Sequence, residues 1–227
     1  FSKDHHFAFE AVAWYWHLSI VIFFALVPLL ILEDKISTDL VQTKTKLRLW
    51  CYAYLTFLNW NVLVTWWIVY ASFGGAMMAF LANSLLMSTV FLIYSNLKNR
   101  INQPWAAWLL IPLWLAWEHG HTLWDISWTW LTIGNVFAFN HNWIQWFEFT
   151  GTSGGSAWML AVNILIFQTL KNNASLKIVS APILKIAAAI FIPILISYEI
   201  LSLEKPLSNP ADKRKVLIVQ PNIDPYN

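Results

Sequence analysis

The residues best placed to do chemistry stand together at the end of one apolar run. Glu118, His119 and His121 follow residues 105–117, and Glu118 and His121 share a helix face at a spacing of three. Ionisable groups at the edge of an apolar segment are costly, so they face a cavity or a partner. Two uses fit: lining an opening through which polar ligands pass, or a hydrogen-bonded cluster that fixes the adjoining loop. A metal use fits poorly, because His119-x-His121 does not put two ligands on one helix face. His141 lies in the same stretch, but no cysteine or second carboxylate is spaced to complete a site. Glu148 reads as an exposed loop carboxylate. Cys51, the one cysteine, excludes an internal disulfide framework and reads as a small apolar helix residue. His5 and His6 belong to a polar segment facing water.

The elements that carry these residues are apolar helices. Hydrophobic residues make up 58% of the 227 positions and charged residues 11%, against roughly a quarter in a soluble domain. Sixteen tryptophans are too many for a generic core and suit a chain that meets a bilayer surface. A net charge of +2 gives no reason to expect nucleic acid. With about 20 apolar residues needed per crossing, the sequence predicts an all-α polytopic membrane bundle of about six spans. They fall near residues 12–32, 49–71, 76–94, 105–123, 155–170 and 181–201. Pro28, Pro112 and Pro193 are expected to kink their helices.

Charge placement tests that list independently. Residues 33–48 hold Lys35, Lys44, Lys46 and Arg48, and residues 72–75 hold no base. Residues 95–104 hold Lys98 and Arg100, residues 119–154 hold none, and residues 171–180 hold Lys171 and Lys177. Basic and base-free connections alternate at each step, which predicts six crossings with both chain ends outside the cytoplasm. Trp124, Trp128, Trp130, Trp143 and Trp146 crowd the long base-free stretch. They suit an interfacial belt, or an apolar floor at that end of the bundle.

The bundle is predicted over residues 1–203 and a polar linker over 204–215. Residues 216–220 form a short β-branched run ended by Pro221 and Asn222, which reads as the first buried strand of an α/β domain within 216–227. The bases Lys205, Lys213, Arg214 and Lys215 precede it, as a long translocated domain permits. A chain that starts at Phe1 and stops after one strand reads as a piece of something longer.

Several short patterns then occur in one order. They are Ala25-Leu26-Val27-Pro28-Leu29-Leu30, Phe73-Gly74-Gly75, and Glu118 with Trp130-Leu131 twelve residues on and Gly134 four after that. Gly151, Gly154, Ser156 and Asn163 follow, and then Val219-Gln220-Pro221-Asn222-Ile223. In these the sequence resembles the apolipoprotein N-acyltransferases of the bacterial inner membrane, across nearly the whole chain. It departs where His121 replaces an arginine, Thr129 a proline and Pro221 a glycine.

The resemblance implies a membrane bundle bearing a nitrilase-like (carbon-nitrogen hydrolase) domain on the periplasmic side. It implies transfer of a phospholipid acyl chain, through a cysteine thioester, to the α-amino group of a diacylglyceryl-cysteine lipoprotein. A Glu-Lys-Cys triad does this in the family as base, oxyanion stabiliser and nucleophile, and it would lie beyond residue 227. No cofactor is implied, a monomer is expected, and the chain by itself is expected to be inactive. Glu118, His121, Trp130, Gly134 and Glu148 are then the candidates for substrate access. The alternatives are a small transporter or channel, or a structural anchor for an external domain.

Overall fold

The computed structural model describes residues 19–37, 43–125, 127–172 and 180–203. Among them the elements are helical, with no strand. The predicted linker and the strand at 216–220 lie outside the described residues, as do residues 12–18 of the first predicted span.

Six α-helices are present: α1 (Val27–Ser37), α2 (Thr43–Thr65), α3 (Phe73–Ile101), α4 (Leu110–His121), α5 (Phe147–Asn172) and α6 (Ser180–Leu203). Short 3₁₀ helices at Ser19–Phe24, Trp66–Tyr70, Pro104–Leu109, Thr129–Leu131 and Ile133–Trp143 join or precede them. Each predicted span therefore has a helical counterpart. Among the described residues three helices are long and apolar enough to cross a membrane: Phe73–Ile101, Phe147–Asn172 and Ala181–Leu203. Helix α2 has the length, but Asn59, Asn61 and its ring residues Trp50, Tyr52 and Tyr54 lower its hydropathy. The first and fourth predicted spans are broken.

The breaks have local causes. The described part of the first predicted span is a 3₁₀ turn, Ser19–Phe24, followed by α1, which starts with Pro28 in its first turn, where a missing N–H is tolerated. Pro28 thus marks a break rather than a bend. A break strands backbone groups that a bilayer interior cannot hydrate. Asn163 of α5 satisfies two of them: its Oδ1 accepts from Leu26 N at 2.9 Å and its Nδ2 donates to the Ile22 carbonyl at 2.9 Å. The fourth span opens with Pro104 in a 3₁₀ helix and becomes α-helical at Leu110.

Helix α3 is the cleanest element. Ser72 caps its start, accepting from Gly75 N at 3.2 Å, and Asn102 ends it in the left-handed region at φ 47°. It pairs with α2 through Asn83 Nδ2 donating to Asn61 Oδ1 at 2.8 Å, a buried amide contact of the kind that holds membrane helices together. The main core gathers Phe23, Phe57, Phe91, Trp114, Phe137 and Trp158. Helix α6 packs one side on α5, where Trp158 Nε1 donates to the Ala189 carbonyl at 2.7 Å, and exposes Leu184, Phe191 and Leu195.

Candidate functional site at the base-free end

Helix α4 delivers Trp114, Glu118 and His121 to one face near its end, and all three are buried. Glu118 Oε1 accepts the Trp114 indole N–H at 3.0 Å and the backbone N–H of Ile133 at 2.9 Å. It therefore fastens the start of the Ile133–Trp143 helix onto α4. Its second oxygen, Oε2, is buried and makes no well-formed hydrogen bond among the described residues.

The next residue is fastened to α5. Ser156 Oγ accepts the Gly134 N–H at 2.9 Å. A Cβ on Gly134 would stand 2.0 Å from the Thr152 carbonyl oxygen, and one on Gly155 would stand 3.0 Å from the Gly134 Cα. Two backbones touch here, and only glycine allows it. The N-terminal part of α5 is itself broken at Gly151, whose φ of 63° and ψ of −169° suit glycine alone. That break places Thr152–Ser156 against the Gly134 segment.

His121 anchors the intervening loop. Its Nδ1 receives the Trp124 indole N–H at 3.1 Å and its Nε2 the Trp128 backbone N–H at 2.8 Å. A neutral imidazole has one lone-pair nitrogen, so the two contacts compete for it. The ring also stacks on Trp117, with centroids 5.4 Å apart. Both partners donate to His121, so the geometry is that of an acceptor holding a loop.

The structure brings three of the five predicted site residues together: Glu118, His121 and Gly134. Trp130 is 60% exposed and meets Trp67 edge-to-face at 6.3 Å. It lines a cavity of about 330 Å³ with Trp60, Val64, Ile133, Val136 and Phe139. Glu148 stands apart, exposed in the first turn of α5, and its side chain joins none of these contacts. Cys51 is exposed on α2, toward the opposite, base-rich end. Among the described residues no three His, Cys, Asp or Glu side chains converge as a metal-ligand set.

A second cluster, at the base-rich end, was not singled out by the sequence. Glu33 is fully buried, accepts from Ser95 Oγ at 2.7 Å and pairs with Lys98. Lys98 also reaches Asp34 at 3.2 Å, and Lys171 reaches the same Asp34 oxygen at 2.7 Å. The network ties α1, α3 and α5. Its signal was an acidic pair beside the first apolar run, with lysines in two base-rich links on the same side.

The family model of the apolipoprotein N-acyltransferase N-terminal domain matches residues 7–165, well over half of the chain. The chain belongs to that family. It is also similar to the apolipoprotein N-acyltransferase of Chlorobaculum tepidum, with 27% identity over 214 residues. That alignment covers 92% of this chain and 38% of the relative, so the chain spans well under half of the relative's length. No solved structure matches it. In this apolipoprotein N-acyltransferase N-terminal domain the matched range holds the whole Glu118–Gly134–Ser156 junction and the Asn163 bridge. It ends before α6.

Proposed function

We propose that this domain is the membrane platform of an enzyme that moves an acyl chain from a phospholipid to the N-terminal diacylglyceryl-cysteine of lipoproteins. In this reading the acyl carbonyl is first attacked by a cysteine thiolate outside residues 1–227. The phospholipid leaves as its lyso form and a thioester remains. The lipoprotein α-amino group then attacks the thioester, giving the amide, releasing the thiolate and losing a proton to a base. The platform contributes substrate access at its base-free end, and the charge alternation supports a periplasmic side for that end.

The observation that carries this reading is the seating of an aromatic segment over an apolar cavity. Glu118 and Ser156 each accept a backbone hydrogen bond, from Ile133 and Gly134 respectively, and the residues around them line about 330 Å³ beside α2. That is the scale of a ligand pocket, with an apolar wall suited to part of an acyl chain. Six crossings fit the element lengths. The Pro104–Leu109 3₁₀ helix and α4 together rise about 30 Å, the thickness of a hydrocarbon core. The candidates nearest the substrate path are Trp130, at the cavity, and Glu118, which positions the segment. His121 and Gly134 position the loop, and Glu148 could meet the acceptor amine from the exposed turn.

The test is made in the intact membrane protein. Trp130→Ala and Glu118→Ala should each lower lipoprotein N-acylation per amount of folded protein, Trp130→Ala mainly by raising KM for the phospholipid. Near-normal turnover in both variants would remove the platform's role in substrate access.

A further inference from the structure

We propose that the base-rich end of the bundle is a binding site for an anionic phosphate group, of the kind a phospholipid headgroup presents. A cavity of about 920 Å³ opens there, and four cationic side chains from three helices line it: Lys46 of α2, Lys98 and Arg100 of α3, and Lys171 of α5. The carboxylate on the lining is Asp34, with Glu33 buried behind it. Those two carboxylates are committed to Lys98 and Lys171. Lys46 and Arg100 make no ion pair among the described residues, so the cavity keeps an excess of two positive charges.

The rest of the lining suits a multi-oxygen anion. Asn102, Gln103 and Asn172 add side-chain amides, which can donate hydrogen bonds to phosphate oxygens, while Asn99 spends its Nδ2 on the Ser95 carbonyl at 2.8 Å. Ala107 and Phe167 form an apolar wall, the surface a glycerol stem or acyl chain would follow. Arginine presents a planar fork that grips phosphate through two parallel N–H groups, and Arg100 has that fork free. The positive-inside rule places this end in the leaflet face where anionic lipids concentrate, and basic pockets between membrane helices there bind lipid headgroups. The site lies at the opposite end of α3 and α4 from the Glu118 junction, so it stands or falls independently of acyl transfer.

The experiment is native mass spectrometry of the intact protein, delipidated in a neutral detergent. The probes are short-chain phosphatidylglycerol, diacylglycerol of the same chain length, and inorganic phosphate. Phosphatidylglycerol should bind, and diacylglycerol should bind at least tenfold more weakly. The double variant Lys46→Ala/Arg100→Ala should lose roughly tenfold or more of the affinity, and Arg100→Lys, which keeps the charge but not the fork, should lose less than the double variant but measurably more than nothing. Melting curves matching the unaltered protein would show that these changes spare the fold. Inorganic phosphate displacing the lipid at low millimolar concentration would make a soluble phosphate an equal source of the same chemistry; lack of displacement would assign the site to lipid. Equal phosphatidylglycerol binding by the double variant, or diacylglycerol binding as tightly, would overturn the proposal.

Discussion

Glu118 and Ile133 are joined by a single buried hydrogen bond, from the Ile133 backbone N–H to the Glu118 carboxylate at 2.9 Å. The same oxygen takes the Trp114 indole, so one atom satisfies two buried donors. Removing it leaves both unpaired at about 1–3 kcal/mol each. Glu118→Ala should therefore lower the melting temperature clearly, whereas Glu118→Gln keeps an accepting oxygen and should lower it little. Thermal unfolding of both variants in detergent checks this. Equal losses would show that the charge, and not the acceptor, matters.

The glycine contact predicts a contrast between two positions. Gly134→Ala would push a methyl group into the Thr152 carbonyl, and at Gly74 the same change meets nothing within 4 Å. Overpacking against backbone costs about 1–3 kcal/mol or more, and an added helix methyl at Gly74 costs nothing and favours helix. Gly134→Ala should destabilise and Gly74→Ala should not, measured as melting temperatures of the two variants side by side.

How much of this could be read in advance differs from residue to residue. The Glu118 junction was legible because its partners recur at fixed spacings: Glu118, Gly134 and Ser156 each stand in a recognisable pattern. Trp130 stands in the same spaced pattern and Glu148 only in the same stretch, and neither spacing nor a stretch of 3₁₀ turns tells which side chains point where. The base-rich network was hidden because Lys98 and Lys171 were counted as topology markers, and a count does not show that two acids reach back to them. The bridge from Asn163 was invisible for a deeper reason. Its partners are backbone groups of Ile22 and Leu26, exposed by a helix break, and backbone groups leave no signature in residue types. The first and fourth spans read as continuous because hydropathy does not distinguish an α-helix from a 3₁₀ turn.

The buried Glu33–Lys98 pair sets a third expectation. Lys98→Met strands a fully buried carboxylate and should cost about 3–5 kcal/mol. Adding Glu33→Gln should restore much of that loss, because the remaining amide carries no charge. A double-mutant cycle on unfolding free energy measures the coupling. Additive losses would show that the pair contributes nothing as a pair.

Asp34 gives the acid limb of stability a direction. Burial alone raises its carboxyl, but Lys171 and Lys98 outweigh that and hold it below the ordinary carboxylate range. A group lowered in the folded state stabilises above its unfolded value, and that contribution disappears as pH falls through the folded value. The stabilisation from Asp34 should thus be complete at neutral pH and fade below about pH 4. Asp34→Asn should be less stable at pH 7 and show a flatter loss on acidification, seen in melting temperatures across that range.

The Asn163 bridge also bears on the order in which the chain assembles. Its Oδ1 reaches a backbone N–H 137 residues earlier, so the break before α1 stays unsealed until α5 has been made. At ribosomal rates of about 5–20 residues per second, that interval is roughly 7–27 seconds. During it, the first membrane segment must keep its open backbone groups near water or the insertion machinery. The bundle therefore closes from its end back to its beginning, and one asparagine acts as the latch.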